Sequence, residues 1–177
     1  VDAHGTLRTV LVDATGTEAL GDCLDGDDLR WADEHWPGPR SAGDRVEVGR
    51  SRDAAFAGLV DRVASGLVVA VDYGHERRTR PAAGTLVGFV DGTSCAPVPD
   101  GRCDLTAHVA MDSLGADELR GQREILRELG VDGTRPPLDV ARTDPAGYLA
   151  DLARASRAAA LTGPGPGDFL WASRRVG

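Results

Sequence analysis

The sequence predicts an α/β fold in a single domain, and three observations carry that expectation. A helical spacing of apolar residues, Phe56, Leu59, Val60 and Val63, runs toward Gly66. An unbroken apolar run, Leu67 to Val71, follows at once and has the length and composition of a strand covered on both faces. Helix and strand patterns then continue to alternate toward the carboxyl end. With 177 residues the chain is long enough to bury one core.

The elements follow in order. Leu7 to Asp13 is rich in β-branched residues and reads as a strand. Gly, Asp and Pro dominate from there to Gly49, so residues 1–50 are expected to hold a strand plus an irregular insertion, and residues 51–177 the α/β core. The acidic run Asp22, Asp25, Asp27, Asp28 lacks the spacing and closing Glu of a calcium loop and reads as solvated surface. Ser51 or Asp53 is placed to cap the first core helix, and Gly66 to end it. Thr85 to Val90 is a further strand, and Asp104 to Met111 alternates, with Leu105, Ala107, Val109 and Met111 on one face and Asp104, Thr106 and His108 on the other. Leu119, Ile125, Leu126 and Leu129 mark a helix stopped by Gly130. Asp144 and Pro145 open another, and Asp168 to Val176 is the last strand. The run Gly163 to Gly167 imitates a nucleotide loop, but it follows a helix, contains prolines without amide donors and leads into a strand, so it is a connector.

Composition narrows the partners. A net charge of -8 disfavours a phosphate backbone and an anionic lipid surface, so nucleic acid and membrane are not expected. All 20 basic residues are Arg. Cys23, Cys95 and Cys103 are an odd, loosely spaced set that fits neither a disulfide framework nor a zinc knuckle, which points to the cytoplasm and to no bound metal. Met111 is the only methionine, so Val1 is not expected to be a natural start.

In an open parallel sheet the crevice beyond the carboxyl ends of the strands collects ligands. The tip of the buried run supplies Asp72, Tyr73, Gly74 and His75: a carboxylate, a phenol, a permissive glycine and an imidazole. Asp104, Thr106 and His108 share one strand face and are candidates to meet His75 there. No Ser-His-Asp, Cys-His or metal-ligand spacing accompanies them.

These residues resemble a known family. GLVVAVDYGH at Gly66 to His75, GTLVGF at Gly84 to Phe89, DLTAHV at Asp104 to Val109, QREILRELGV at Gln122 to Val131 and GDFLW at Gly167 to Trp171 look like successive motifs of the MidA-like methyltransferases, which include the mitochondrial complex I assembly methyltransferase. The resemblance implies the distal part of a class I, Rossmann-like sheet, mostly parallel with an antiparallel last strand, in the carboxyl-terminal part of the enzyme. It implies S-adenosyl-L-methionine as cofactor, with the glycine-rich loop that binds it absent from this chain. Asp72, His75 and His108 are then the expected catalytic residues, and Tyr73, Gly74, Asp104, Thr106 and Gln122 the expected substrate contacts. A protein substrate, arginine in particular, is implied, together with a homo-oligomer or association with a missing upstream half. The competing expectation is a degenerate fragment that serves as a binding or scaffold module without turnover.

Overall fold

A computed structural model gives the fold, and it describes residues 1–36, 40–131 and 133–177. In chain order the first elements are β1 (Arg8–Val12), β2 (Glu18–Cys23), α1 (Gly26–His35), α2 (Arg50–Val60), β3 (Gly66–Asp72), β4 (Gly74–His75), β5 (Val87–Val90) and β6 (Thr93–Cys95). They are followed by β7 (Asp104–Thr106), β8 (Val109–Ala110), β9 (Glu118–Gly121), α3 (Gln122–Glu128), α4 (Val140–Thr143), α5 (Pro145–Thr162) and β10 (Leu170–Val176). The chain divides into two compact units, one of Val1–Arg62 with His75–Gly115, the other of Val63–Gly74 with Ala116–Gly177.

The first unit opens on a hairpin. β1 and β2 pair antiparallel around a turn in which Asp13 accepts hydrogen bonds from the amides of Thr15 and Thr17, an Asx-type turn. The stretch expected to be irregular therefore holds a second strand and a helix. Part of the acidic run opens that helix: Asp27 and Asp28 lie in the first turn of α1, where the helix dipole favours negative charge. The other end of α1 leaves carbonyls without intrahelical partners. Arginines line this end: Arg40 donates to the carbonyls of Trp36 and of Ala32, which also accepts from the Trp36 amide, Arg77 donates to that of Glu34 and Arg80 to that of His35. Trp31, Trp36 and Ala110 form the core beside α1, with Val46 and Val48 packed against them. The Trp31 indole donates to Asp53 at 2.6 Å, which ties this core to α2. β5 is the centre of a three-stranded antiparallel sheet between β6 and β7.

In the second unit β10 is the central strand, antiparallel to β3 on one side and to β9 on the other. Asp144 caps α5 by accepting from the Gly147 amide, with Pro145 at the first helical position, as its Asp-Pro start predicts. Ala155, Ala158 and Thr162 of α5 are buried, as is Ala172 of β10.

The fold class expected from the sequence is corrected here. Among the described residues the sheets are mostly antiparallel, and no Rossmann-like parallel sheet is formed. The error lies in Leu67 to Val71. This run is the strand β3, but it stands at the edge of its sheet and, among the described residues, pairs with β10 alone. Val68, Ala70 and Asp72 are half-buried, whereas Leu67 is 56% exposed and Val69 and Val71 also face out. An all-apolar strand signals that both faces suit burial. It does not reveal the direction of its neighbour, nor whether this chain covers the second face.

Candidate functional site

The best-built polar site lies in the first unit, around His75. β4 delivers the imidazole, which is only 5% exposed, beside β8. Trp36, fixed at the end of α1, meets it edge-on with ring centroids 5.2 Å apart. His108 stands 6.4 Å away, centroid to centroid, in the short bend between β7 and β8. Its backbone is held through Thr85, whose hydroxyl accepts from the His108 amide at 2.7 Å and donates to Glu47 at 2.8 Å. The other oxygen of the same carboxylate accepts from the amides of Thr85 and Leu86.

Arg80 organises the imidazole. A 3-10 turn at Arg77–Thr79 and the following Pro81 set Arg80 in extended backbone, from which its side chain turns inward to 5% exposure. The guanidinium donates to Asp112 at 2.6 Å, to the His75 carbonyl at 3.1 Å and to the His35 carbonyl at 3.0 Å, and it stacks over Trp36 at 5.1 Å. It also stands 2.7 Å from His75 Nδ1. A guanidinium has donors only, so Nδ1 accepts and the neutral ring carries its proton on Nε2. Nε2 is buried and has no hydrogen-bond partner among the described residues. A donor sealed from water without an acceptor costs about 1–3 kcal/mol. Burial pushes the His75 pKa below its ordinary value, and the adjacent Arg80 charge pushes it the same way.

The remaining expected residues fall elsewhere. Asp72 ends β3 and Tyr73 follows it in the second unit, where Asp72 accepts from the Tyr73 amide and Tyr73 packs edge-on against Phe169 at 5.7 Å. Gly74 begins β4 and also counts with that unit. Asp104 and Thr106 lie on β7, paired with Phe89 and Val87. β7 stops at Thr106, so the expected continuous face shared with His108 is interrupted. Gln122 begins α3 in the second unit, buried, donating to the carbonyls of Leu161 and Pro166 and accepting from the Trp171 indole at 3.0 Å. Its amide is engaged inside the unit. Sequence reasoning did not find Arg80, Asp112, Glu47, Thr85 or Trp36. The Arg80-Pro81 pair marks an extended residue, but nothing distinguishes one buried arginine among 20.

Residues 2–123 match a family model described as "Putative S-adenosyl-L-methionine-dependent methyltransferase". The chain belongs to this family. Its cofactor is S-adenosyl-L-methionine. Two solved structures share the fold. An uncharacterised protein from Burkholderia thailandensis aligns with a TM-score of 0.71 and 22% identity over 98% of this chain and 50% of its own. A second member of the same superfamily from that organism, bound to S-adenosyl-homocysteine, aligns at 0.69 and 21% over 97% of this chain and 48% of its own. The chain thus spans about half the length of each. A search of the curated proteins finds no match.

A nucleoside cofactor of this kind asks for a strand that passes through a glycine-rich loop into a helix, where free amides meet the ligand. Among the described residues no such loop is present. Gly163–Gly167 leaves α5 and reaches β10 through a 3-10 turn at Pro166–Asp168. The residues present do not make the cofactor cradle by themselves. Among the described residues no group of three or more His, Cys, Asp or Glu is placed to hold a metal, and no helix is long and apolar enough to cross a membrane.

Proposed function

We propose that this chain is the carboxyl-terminal half of a MidA-like methyltransferase that modifies a protein side chain, arginine first among the candidates, and that it works in the cytoplasm joined to an upstream half that holds the cofactor. The observation that carries the reading is the family match over residues 2–123. The half-length alignment to both solved structures and the missing cofactor loop among the described residues support the division of labour.

Within it, this chain's residues bind and orient the acceptor and handle its proton. Methyl transfer requires an in-line approach, and a nitrogen acceptor must lose a proton to a nearby group. His108, exposed beside the buried His75, and Asp72 at the tip of β3 are assigned to that proton. His75 is assigned to orient the acceptor. Tyr73, Gly74, Asp104, Thr106 and Gln122 are assigned to the acceptor's surroundings. The test is transfer of a radiolabelled methyl group to protein by the chain joined to its upstream segment. Labelling that His108→Ala and Asp72→Ala each reduce at least about tenfold is expected. Cofactor bound by the joined protein with no labelling of any protein substrate overturns the assignment.

One observation favours a second reading, a binding or scaffold module without turnover. The edge strand β3 presents Leu67, Val69 and Val71 to solvent beside unpaired backbone groups, a surface suited to pairing with another chain. The same labelling experiment separates the two, because a scaffold transfers nothing. Calorimetric titration of the chain alone with S-adenosyl-L-methionine is expected to show no binding under either reading, and micromolar affinity would contradict both.

A further inference from the structure

Two features of the first unit are unusual together: a guanidinium aimed at an imidazole, and the far nitrogen of that imidazole buried without a partner. Arginine beside histidine is ordinarily repulsive once the ring is protonated. Here it is held there by four other engagements: the ion pair to Asp112, two backbone carbonyls and the Trp36 face. The arrangement leaves one chemical state open to the ring. Protonation would set an Nδ1–H against a guanidinium N–H, donor against donor, and the other neutral tautomer would do the same.

We propose that Arg80 and Asp112 are positioning residues that hold His75 neutral with its proton on Nε2. The state of the ring does not rest on the function proposed above. Arg80 and His108 oppose its protonation and Glu47 favours it, but Glu47 already accepts from two amides and a hydroxyl. Burial adds to the Arg80 effect, so the balance is toward the neutral ring. A ring in this state has no lone pair on Nε2 and removes no proton through it. Proton removal within this unit is therefore left to His108, the imidazole beside it. Neither Arg80 nor Asp112 touches the acceptor in this scheme, and both act through the imidazole.

The test is the nitrogen spectrum of the full chain labelled at histidine, recorded as long-range proton–nitrogen correlations from about pH 8 to about pH 5. His75 is expected to show a protonated Nε2 and a bare Nδ1, and to stay neutral at pH values where free imidazole is largely protonated. In Arg80→Met the proton is expected to exchange between the two nitrogens and the ring to titrate at a higher pH than in the parent. Asp112→Asn, which leaves the guanidinium in place but loosens it, is expected to fall between them. In the joined enzyme, Arg80→Met is expected to add an ionisation to the acid limb of kcat/KM, a change that a purely structural loss does not produce. A parent His75 with its proton on Nδ1, or one that titrates in step with free imidazole, overturns the inference even if Arg80→Met fails to fold. Methyl transfer with the wrong tautomer sinks this inference alone, whereas the right tautomer with no methyl transfer sinks only the proposed function.

Discussion

Gln122 and His75 are both buried polar side chains, one in each unit, and they differ in what their polar atoms meet. Gln122 donates to two carbonyls and accepts from an indole, so its amide is satisfied on both sides. His75 has one nitrogen engaged by Arg80 and the other without a partner. Satisfied buried groups fix a packing arrangement, whereas a sealed, unpaired donor costs free energy that packing alone does not explain. The contrast separates a structural residue from a functional candidate better than the sequence pattern does, since each belonged to the expected site.

Removing the amide at Gln122 should therefore produce the largest loss of stability. Gln122→Leu keeps the bulk but takes the side-chain partner from the Trp171 N–H and from the Leu161 carbonyl, and leaves the Pro166 carbonyl only the Phe169 amide; we expect about 3 kcal/mol, read as a lower urea midpoint with an unchanged slope. A loss below about 1 kcal/mol would mean that water replaces the amide easily and that the contrast with His75 is weaker than the geometry indicates.

Arg80→Met comes next, at about 2 kcal/mol in the same measurement. It strands Asp112, but that carboxylate is 27% exposed and water can solvate it, which keeps the cost below that of a fully buried broken pair. It also uncaps the His35 carbonyl at the end of α1. A larger effect than that of Gln122→Leu would identify the Arg80 cluster, rather than the second unit's amide lock, as the stronger structural element.

How far this contrast could be read in the sequence is uneven. Strand β3, the helix opened at Asp144-Pro145 and the final strand β10 were legible because apolar period, capping residues and Gly/Pro punctuation are local. The hairpin partner β2 was not: EALGDC mixes acidic residues, glycine and alanine, and it becomes a strand only because β1 offers a ladder. Sheet direction was misjudged for a related reason. β3 is apolar at every interior position, and only its pairing with β10 shows it to be an antiparallel edge. His75 and His108 were legible as candidate chemistry, and their rings lie 6.4 Å apart, but Arg80 and Asp112 were hidden. A guanidinium's partner is chosen by tertiary packing 32 residues away in the chain, and no periodicity encodes it.

His75→Gln sharpens the comparison through pH rather than size. The glutamine oxygen can still accept from Arg80, so stability near neutral pH should change by less than about 1 kcal/mol. The folded pKa of His75 lies below that of the unfolded chain, so between the two values the unfolded state binds more protons and stability rises with pH. The parent should accordingly keep this contribution above about pH 6.5 and lose it as pH falls further. In His75→Gln the melting temperature should decline less steeply between about pH 7 and pH 5. Parallel declines would show that His75 charges freely in the folded chain.

The smallest effect is expected on the exposed face of β3, and it tests the other half of the contrast. Val69 is 38% exposed and lies opposite Ser173 of β10. Val69→Thr keeps the β-branched shape that a strand favours and exchanges one methyl for a hydroxyl on a surface that this chain leaves in water. If that surface is free, stability should shift by less than about 0.5 kcal/mol at every protein concentration. If a second copy covers it, the parent's melting temperature will rise with concentration and the substitution will abolish that rise, because only an association present in the folded state responds to mass action. A concentration-independent loss above about 1 kcal/mol would instead place Val69 against this chain's own packing and remove β3 as an uncovered edge.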